Sequence, residues 1–337
     1  MDKISTCRAA YLIPFIDVLR DIGAPVDREL ERAKLPTMIE EMPDEFVSNI
    51  LCEEFVYRSE KREGIDDLGW LWAERFSTSD FSAELLAALQ PMPTVKARLD
   101  CFSSLSKLED SDVNIGVVKS DGVAEVFCDV TPPEGMKSFQ ITEWAQVAAV
   151  IEVIRSVIGK SWIPDEIRFR TGFSVCDAAH ESNPNTRFIT QSARTSIIIP
   201  SSVLAASKLP CGIAKVPDPN IPDCLKLNGT GNLKRLIRPY LIEATPKIDM
   251  IAEIAGMSRR SLQRKLQQAG SNYSELIETA RFEMATEMLR DPDIRVIDVA
   301  MTLGYADQSN FGRGFRRFAG ISPGKYRREM LHQEHFS

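Results

Sequence analysis

Apolar positions recur at helical spacing over the first hundred residues of this chain and then switch to strict alternation. From Ala9 to Asp21, the residues Ala10, Ile13, Phe15, Ile16 and Leu19 fall on one side of a helix that stops at Gly23-Ala24-Pro25, and Phe46, Ile50, Leu51 and Phe55 mark a second helix from Asp44 to Glu60. Leu85 to Leu89 and Thr94 to Leu108 continue the helical set, with Thr94 after Pro93 as the cap. The period then falls to two. Val113, Ile115 and Val117 alternate, Ser120-Asp121-Gly122 supplies a hairpin turn, and Val123 to Val130 runs back as the partner strand. A long amphipathic helix is predicted over Phe139 to Ile158, carrying Trp144, Val147, Ile151 and Ile154. Ile167 with Phe169, Arg187 to Thr190, and Ser196 to Ile199 read as further strands. This part is therefore expected to be α+β, helices against a small, mostly antiparallel sheet. Pro217, Pro219 and Pro222, then Asn228-Gly229-Thr230-Gly231, interrupt both periods. A linker is expected over 213–231, dividing a domain at 1–212 from one at 232–337.

The last part of the chain is expected to be all α, with two helix-turn-helix units in tandem joined by a long helix. In Ile248 to Leu266 a small residue and a glycine stand four apart, Ala252 and Gly256; in Val296 to Arg317 the same spacing recurs as Ala300 and Gly304. Ser258 and Asp307 are placed to cap the second helix of each unit. Leu262 with Leu266, and Phe311 with Phe315, form the buried stripes of those helices and leave polar and basic residues on the outer faces. Between the units, Leu276, Ala280, Met284 and Met288 lie at helical spacing in a segment from Ser274 to Arg290. Such a helix is a rod of roughly 25 Å. A rod of that length suits holding two recognition helices about 34 Å apart, one turn of B-DNA.

From about Leu233 to Arg328 the chain resembles the AraC/XylS transcriptional regulators. The resemblance rests above all on Asp298-Val299-Ala300, on Leu303 through Phe311, and on Phe315-Arg316-Arg317-Phe318-Ala319-Gly320-Ile321-Ser322-Pro323-Gly324-Lys325-Tyr326-Arg327. It implies base-edge contacts from early positions of each recognition helix. These positions are occupied by Arg260, Gln263 and Arg264 in the first, and by Gln308, Ser309, Gly312 and Arg313 in the second. Arginine can grip guanine bidentately and glutamine adenine, so the residue types suit reading bases. Gly312 departs from the family's pattern, since it has no side chain to read with. The second helix is therefore expected to depend more on backbone approach and phosphate contacts.

Charge supports the division. The chain has a formal net charge of -7, which for a single domain would argue against nucleic acid. From Gly231 to Ser337, however, 17 lysines and arginines stand against 13 aspartates and glutamates, while the remainder has 24 against 35. The +4 part need only neutralise phosphates locally. All seven cysteines (Cys7, Cys52, Cys101, Cys128, Cys176, Cys211 and Cys224) precede it at wide spacings without a C-x-x-C pair, so neither zinc nor disulfides are expected. His180, in a polar stretch, has no nucleophile motif to serve. No catalytic residue, metal or cofactor is expected, nor any membrane span or signal peptide; a cytoplasmic protein follows.

More weakly, the first part resembles the arabinose-binding-like effector and dimerisation domain of one branch of the same regulators. Asp67-Leu68-Gly69, the helix after Pro93-Thr94, the helix before Trp162-Ile163-Pro164 and the strand Ile167-Arg168-Phe169-Arg170 carry this resemblance. It implies a sensor without naming its ligand. Trp70, Trp72, Phe76 and Phe81 form an aromatic cluster open to two readings, pocket lining or core. Arg168 and Arg170 are likewise open to two readings, an anion site or a solvated strand face. The expected function is sequence-specific transcriptional regulation, as an activator, with double-stranded DNA, RNA polymerase and a small-molecule effector as partners and a homodimer as its form. The alternatives are a first domain that only dimerises, and an alkyl-acceptor enzyme fused to a DNA-binding module.

Overall fold

The computed structural model of the chain describes residues 4–130, 139–208 and 229–334. Its elements begin with β1 (Thr6–Arg8), α1 (Ile13–Asp21), α2 (Val26–Ala33), β2 (Phe46–Ser48), α3 (Asn49–Glu63), α4 (Leu68–Arg75), α5 (Ala83–Leu89) and α6 (Val95–Leu105). There follow β3 (Val113–Ser120), β4 (Val123–Val130), α7 (Phe139–Ile158), β5 (Glu166–Arg168), α8 (Asp177–Ser182), β6 (Arg187–Ile189), β7 (Thr195–Pro200) and α9 (Ser201–Ala205). Helices α10 (Gly229–Glu243), α11 (Ile248–Ile254), α12 (Arg259–Gln268), α13 (Tyr273–Met288), α14 (Val296–Thr302), α15 (Gln308–Ala319) and α16 (Pro323–Glu334) complete the chain. Among the described residues they fall into two compact units, β2 with α10 to α16 in one and the remaining elements in the other.

The larger unit is built on a five-stranded sheet in the order β3-β4-β7-β5-β6, antiparallel except for the β5–β6 pair. Strands β3 and β4 pair from Val113 with Val130 to Ser120 with Val123, closed by Asp121-Gly122 with Gly122 in the left-handed region. That register puts Ala124, Val126, Cys128 and Val130 on the buried face, as the alternation requires. Helix α7 supplies Trp144, Val147, Val150 and Ile154 to the core. Helix α4 comes close enough to α7 that a Cβ on Gly69 would stand 2.7 Å from the Trp144 ring and 3.1 Å from the Cα of Ile141, so glycine is required there. The wholly buried Glu143 of α7 accepts hydrogen bonds from the backbone amides of Arg170 and Thr171 and from the hydroxyls of Thr171 and Thr195. One carboxylate thereby ties the long helix to the turn after β5 and to the start of β7.

Several boundaries differ from the hydrophobic pattern, each for a physical reason. The single helix expected from Ala9 is a 3-10 turn, Ala9–Tyr11, followed by α1, because Pro14 favours a first-turn position. The helix expected from Asp44 starts at Asn49, and Phe46–Ser48 is extended. There the Asn49 side chain is held by Asp110 (3.0 Å) and Asp112 (3.1 Å), contacts that local periodicity does not register. Thr94 caps α6 as expected, its hydroxyl accepting from the amide of Ala97 (3.1 Å), but the α-helix ends at Leu105 and passes into a 3-10 turn. Helix α4 carries no one-sided stripe because it is buried on two sides. Trp72 stacks on Phe15 (5.5 Å) and Phe76 (4.7 Å), while Trp70 meets Trp144 edge-on (5.2 Å). Of the expected linker, residues 213–228 lie outside the described residues, as do Cys211 and Cys224, while Gly229 to Gly231 already belong to α10. No helix among the described residues is long and apolar enough to cross a membrane.

Candidate DNA-binding site

In the smaller unit the two helix-turn-helix motifs repeat bond for bond. At the end of α11 the carbonyl of Ala252 accepts from the amide of Met257 (2.9 Å) and that of Glu253 from Gly256 (2.9 Å). At the end of α14 the carbonyl of Ala300 accepts from Tyr305 (3.0 Å) and that of Met301 from Gly304 (3.0 Å). Both are Schellman endings, with Gly256 at φ 65° and Gly304 at φ 75° in the left-handed conformation where a side chain is strained. The recognition helices then start on the expected caps. The Ser258 hydroxyl accepts from the amide of Ser261 (3.2 Å), and the Asp307 carboxylate accepts from Asn310 (2.7 Å). Leu262, Leu266, Phe311 and Phe315 are each 2% exposed or less, which fixes the outward face of α12 and α15.

Helix α13 joins the two motifs. Its 16 residues make a rod of about 24 Å. Asn272 and Glu275 form a reciprocal capping box at its start (3.0 and 3.2 Å). Leu276, Ala280 and Met284 are buried as the spacing requires, whereas Leu289 takes the place expected of Met288. At its far end the Arg327 guanidinium of α16 donates to the carbonyl of Leu289 (3.1 Å), one of the groups a helix end leaves open, and to the carbonyl of Ile294 in the loop that follows (2.6 Å). Near its start the Tyr273 hydroxyl donates to the carbonyl of Pro246 (2.7 Å), and burial pushes that phenol up to about 12.

Arg260, Gln263 and Arg264 are exposed on one side of α12, a helix with no aspartate or glutamate. Its neighbouring Arg259 turns back to Asp249 (3.1 Å). Gln308, Ser309 and Arg313 are exposed on α15, which is also free of acidic residues. A relay missed by sequence reasoning orients Arg313: its guanidinium donates to the Asn310 side-chain carbonyl, and the Asn310 amide donates to Asp307 (2.7 Å). Asp307, Asn310 and Arg313 stand three apart, the spacing of neighbours on one helix face, and that was the available signal. The two glycines of α15 differ in kind. A Cβ on Gly314 would stand 3.3 Å from the Tyr305 hydroxyl, whereas one on Gly312 would meet nothing within 4 Å. Packing accounts for Gly314; at position 312 the fold leaves room for a side chain, and its absence bares the backbone.

The remaining candidates lie in the larger unit. Arg168 is neutralised by Glu166 (2.6 Å) and faces Glu125 (3.8 Å), while Arg170 lies over the Phe139 ring (5.7 Å), so the pair builds no anion site. His180 belongs to the short helix α8 and packs edge-on against Phe188 (5.0 Å). Burial pushes the Cys101, Cys128 and Cys176 thiols up, and a hydrogen bond with Cys52, followed by burial, does the same to Cys7. Each shift favours the thiol over the thiolate that an alkyl acceptor needs. Trp72 and Phe81 are core, but Trp70 and Phe76 also line an open cleft of about 410 Å³.

Residues 23–206 match the family described as the arabinose-binding domain of AraC transcription regulators, and residues 251–329 match a helix-turn-helix domain family. The regulator VirS of Mycobacterium tuberculosis is 24% identical over 97% of this chain and 98% of its own length. The transcriptional activator NphR of a Rhodococcus species is 36% identical over 97 residues, 29% of each protein. The chain thus spans under a third of NphR and of the other relatives matched through the helix-turn-helix region alone. Among solved structures, the regulator CdpR of Pseudomonas aeruginosa is similar over 90% of this chain and 96% of its own, at 20% identity and a TM-score of 0.39. Two families in this order, one of them covering more than half of the residues, place the protein: the chain belongs to the AraC family of DNA-binding transcription regulators.

Proposed function

We propose that the chain activates transcription from specific DNA sites in response to a small molecule bound by the domain at 1–212, with 213–231 as linker and 232–337 as the reader. The observation that carries the DNA half is the pair of acid-free recognition helices, each presented by the same Schellman turn and cap. Arg260, Gln263 and Arg264 on α12, with Gln308, Ser309 and Arg313 on α15, are read as the base-contacting set, and Gly312 as a point of close backbone approach. The name of NphR supports an activating role, and an activator acts through RNA polymerase. The match to an arabinose-binding domain supports a ligand in the larger unit. The upward shifts at Cys7, Cys101, Cys128 and Cys176 do not favour the alkyl-acceptor alternative, and the protein is read as a cytoplasmic, homodimeric regulator with no catalytic residue, metal or cofactor.

Alanine at Arg260, Gln263 or Arg264 is expected to weaken binding to the specific site by about 1–3 kcal/mol each, with little loss on random DNA. Arg313→Ala should follow the same pattern more mildly. Fluorescence anisotropy on matched specific and scrambled duplexes checks this. Equal losses on both would recast these side chains as phosphate contacts.

A further inference from the structure

Gln146 of α7 is 6% exposed, and neither its amide nitrogen nor its amide oxygen has a hydrogen-bond partner; among the described residues no other side chain has two such atoms. The surroundings show how unusual this is for the unit. Three positions away Glu143 is held by four donors, and the buried Arg98 donates to the carbonyls of Met92 (3.1 Å) and Ser156 (3.1 Å). A buried amide without partners is a standing cost that leucine or methionine, of similar shape, would avoid. Gln146 lines a cavity of about 60 Å³ between the end of α6, the β3–β4 hairpin and α7. A single water needs roughly 10–15 Å³ by this kind of measure, so the space admits a compact organic molecule.

We infer that this cavity binds a small neutral ligand with a primary carboxamide, or an equivalent adjacent donor and acceptor, paired to the Gln146 amide. The inference rests on the effector reading and gives that effector a place and a chemical class. A primary carboxamide meets the side chain reciprocally: its N–H donates to the Gln146 oxygen and its carbonyl accepts from the Gln146 nitrogen. The walls select against an anion. Glu109 and Asp110 line the cavity and no lysine or arginine does. Glu109 is already engaged by Arg8 (2.9 Å) and the amide of Ser82 (3.1 Å). Phe102, Ile115 and Cys128 offer an apolar surface for a short aliphatic tail. The larger cleft on the other side of α7 suits a neutral ligand less, because Glu74, Arg75, Glu152, Arg155 and Lys160 line it.

The test is thermal unfolding of the full chain with acetamide, propanamide and butanamide, and with butanoate as the anionic control. The wild type is expected to show a saturable rise in midpoint with the amides and none with butanoate. Gln146→Leu is expected to melt higher than wild type without ligand, since the unpaired amide is gone, and to bind the amides at least about tenfold more weakly. Gln146→Met serves the same purpose if the branched side chain does not fit. An undiminished response in the variants overturns the site, as does no response in the wild type, which would leave ordered water as the partner of Gln146. A response lost in Trp70→Phe but kept in Gln146→Leu would also overturn it and move the ligand to the cleft across α7. The effector reading is tested apart from this, by whether any metabolite changes expression of a reporter driven by the full chain.

Discussion

Phe311→Ala is expected to cost about 3–5 kcal/mol of folding stability and to abolish site-specific DNA binding. The ring is 1% exposed and sits at the centre of the second helix-turn-helix, 5.4 Å from Tyr305 and 5.7 Å from Phe315. Phe315 in turn meets Phe282 of α13 (5.0 Å) and Tyr326 of α16 (5.3 Å). Removing Phe311 opens a cavity beside Tyr305 and Phe315, and the surrounding rings close it by shifting α15. The outward pose of Gln308, Ser309 and Arg313 then fails with it. Urea unfolding together with anisotropy checks both halves. Near wild-type affinity for the specific duplex would show that α15 does not depend on this core for its pose.

Glu143→Leu is expected to lower stability by about 3 kcal/mol or more, because four donors in the core lose their acceptor at once. In a unit of this size that is a fall in melting midpoint of roughly 6–12 °C. Glu143→Gln keeps one acceptor oxygen and adds a donor that faces other donors, so an intermediate loss is expected. Differential scanning calorimetry of the three forms orders them. A leucine variant as stable as wild type would mean that the carboxylate contributes no net stability, as is known for some buried ionic groups.

The parts of this fold legible in the chain are those set by local rules. Ala252-Gly256 and Ala300-Gly304 announced the two turns, Ser258, Asp307 and Thr94 announced helix starts, and Asp121-Gly122 announced the hairpin; each depends on interactions within about five residues. Gly69 was noticed only as part of a resemblance, and the 2.7 Å approach to Trp144 that requires it lies 75 positions away in the chain. The same distance hid the start of α3, where Asn49 answers to Asp110 and Asp112, and the role of Glu143, whose donors come from Arg170, Thr171 and Thr195. The helical spacing that predicts α7 does not say which of its polar residues are buried. Only the assembled core separates the satisfied Glu143 from the unpartnered Gln146. At the proposed DNA face the sequence pattern was enough to place Arg260, Gln263, Arg264, Gln308, Ser309 and Arg313 on exposed helix surface, but the relay from Asp307 through Asn310 to Arg313 needed side-chain geometry.

Selection of the full chain on a pool of random duplex DNA tests the central claim most directly. The predicted result is an enriched site with two short conserved blocks about one helical turn, 10–10.5 base pairs, apart, one for each recognition helix. Affinity for that site should fall linearly with the logarithm of salt concentration as phosphate counterions are released. Arg260→Ala and Arg264→Ala should relax the sequence of one block and leave the other intact. A retained pool with no shared sequence, bound no more tightly than the starting mixture at any salt, would contradict the assignment of α12 and α15 as readers of DNA.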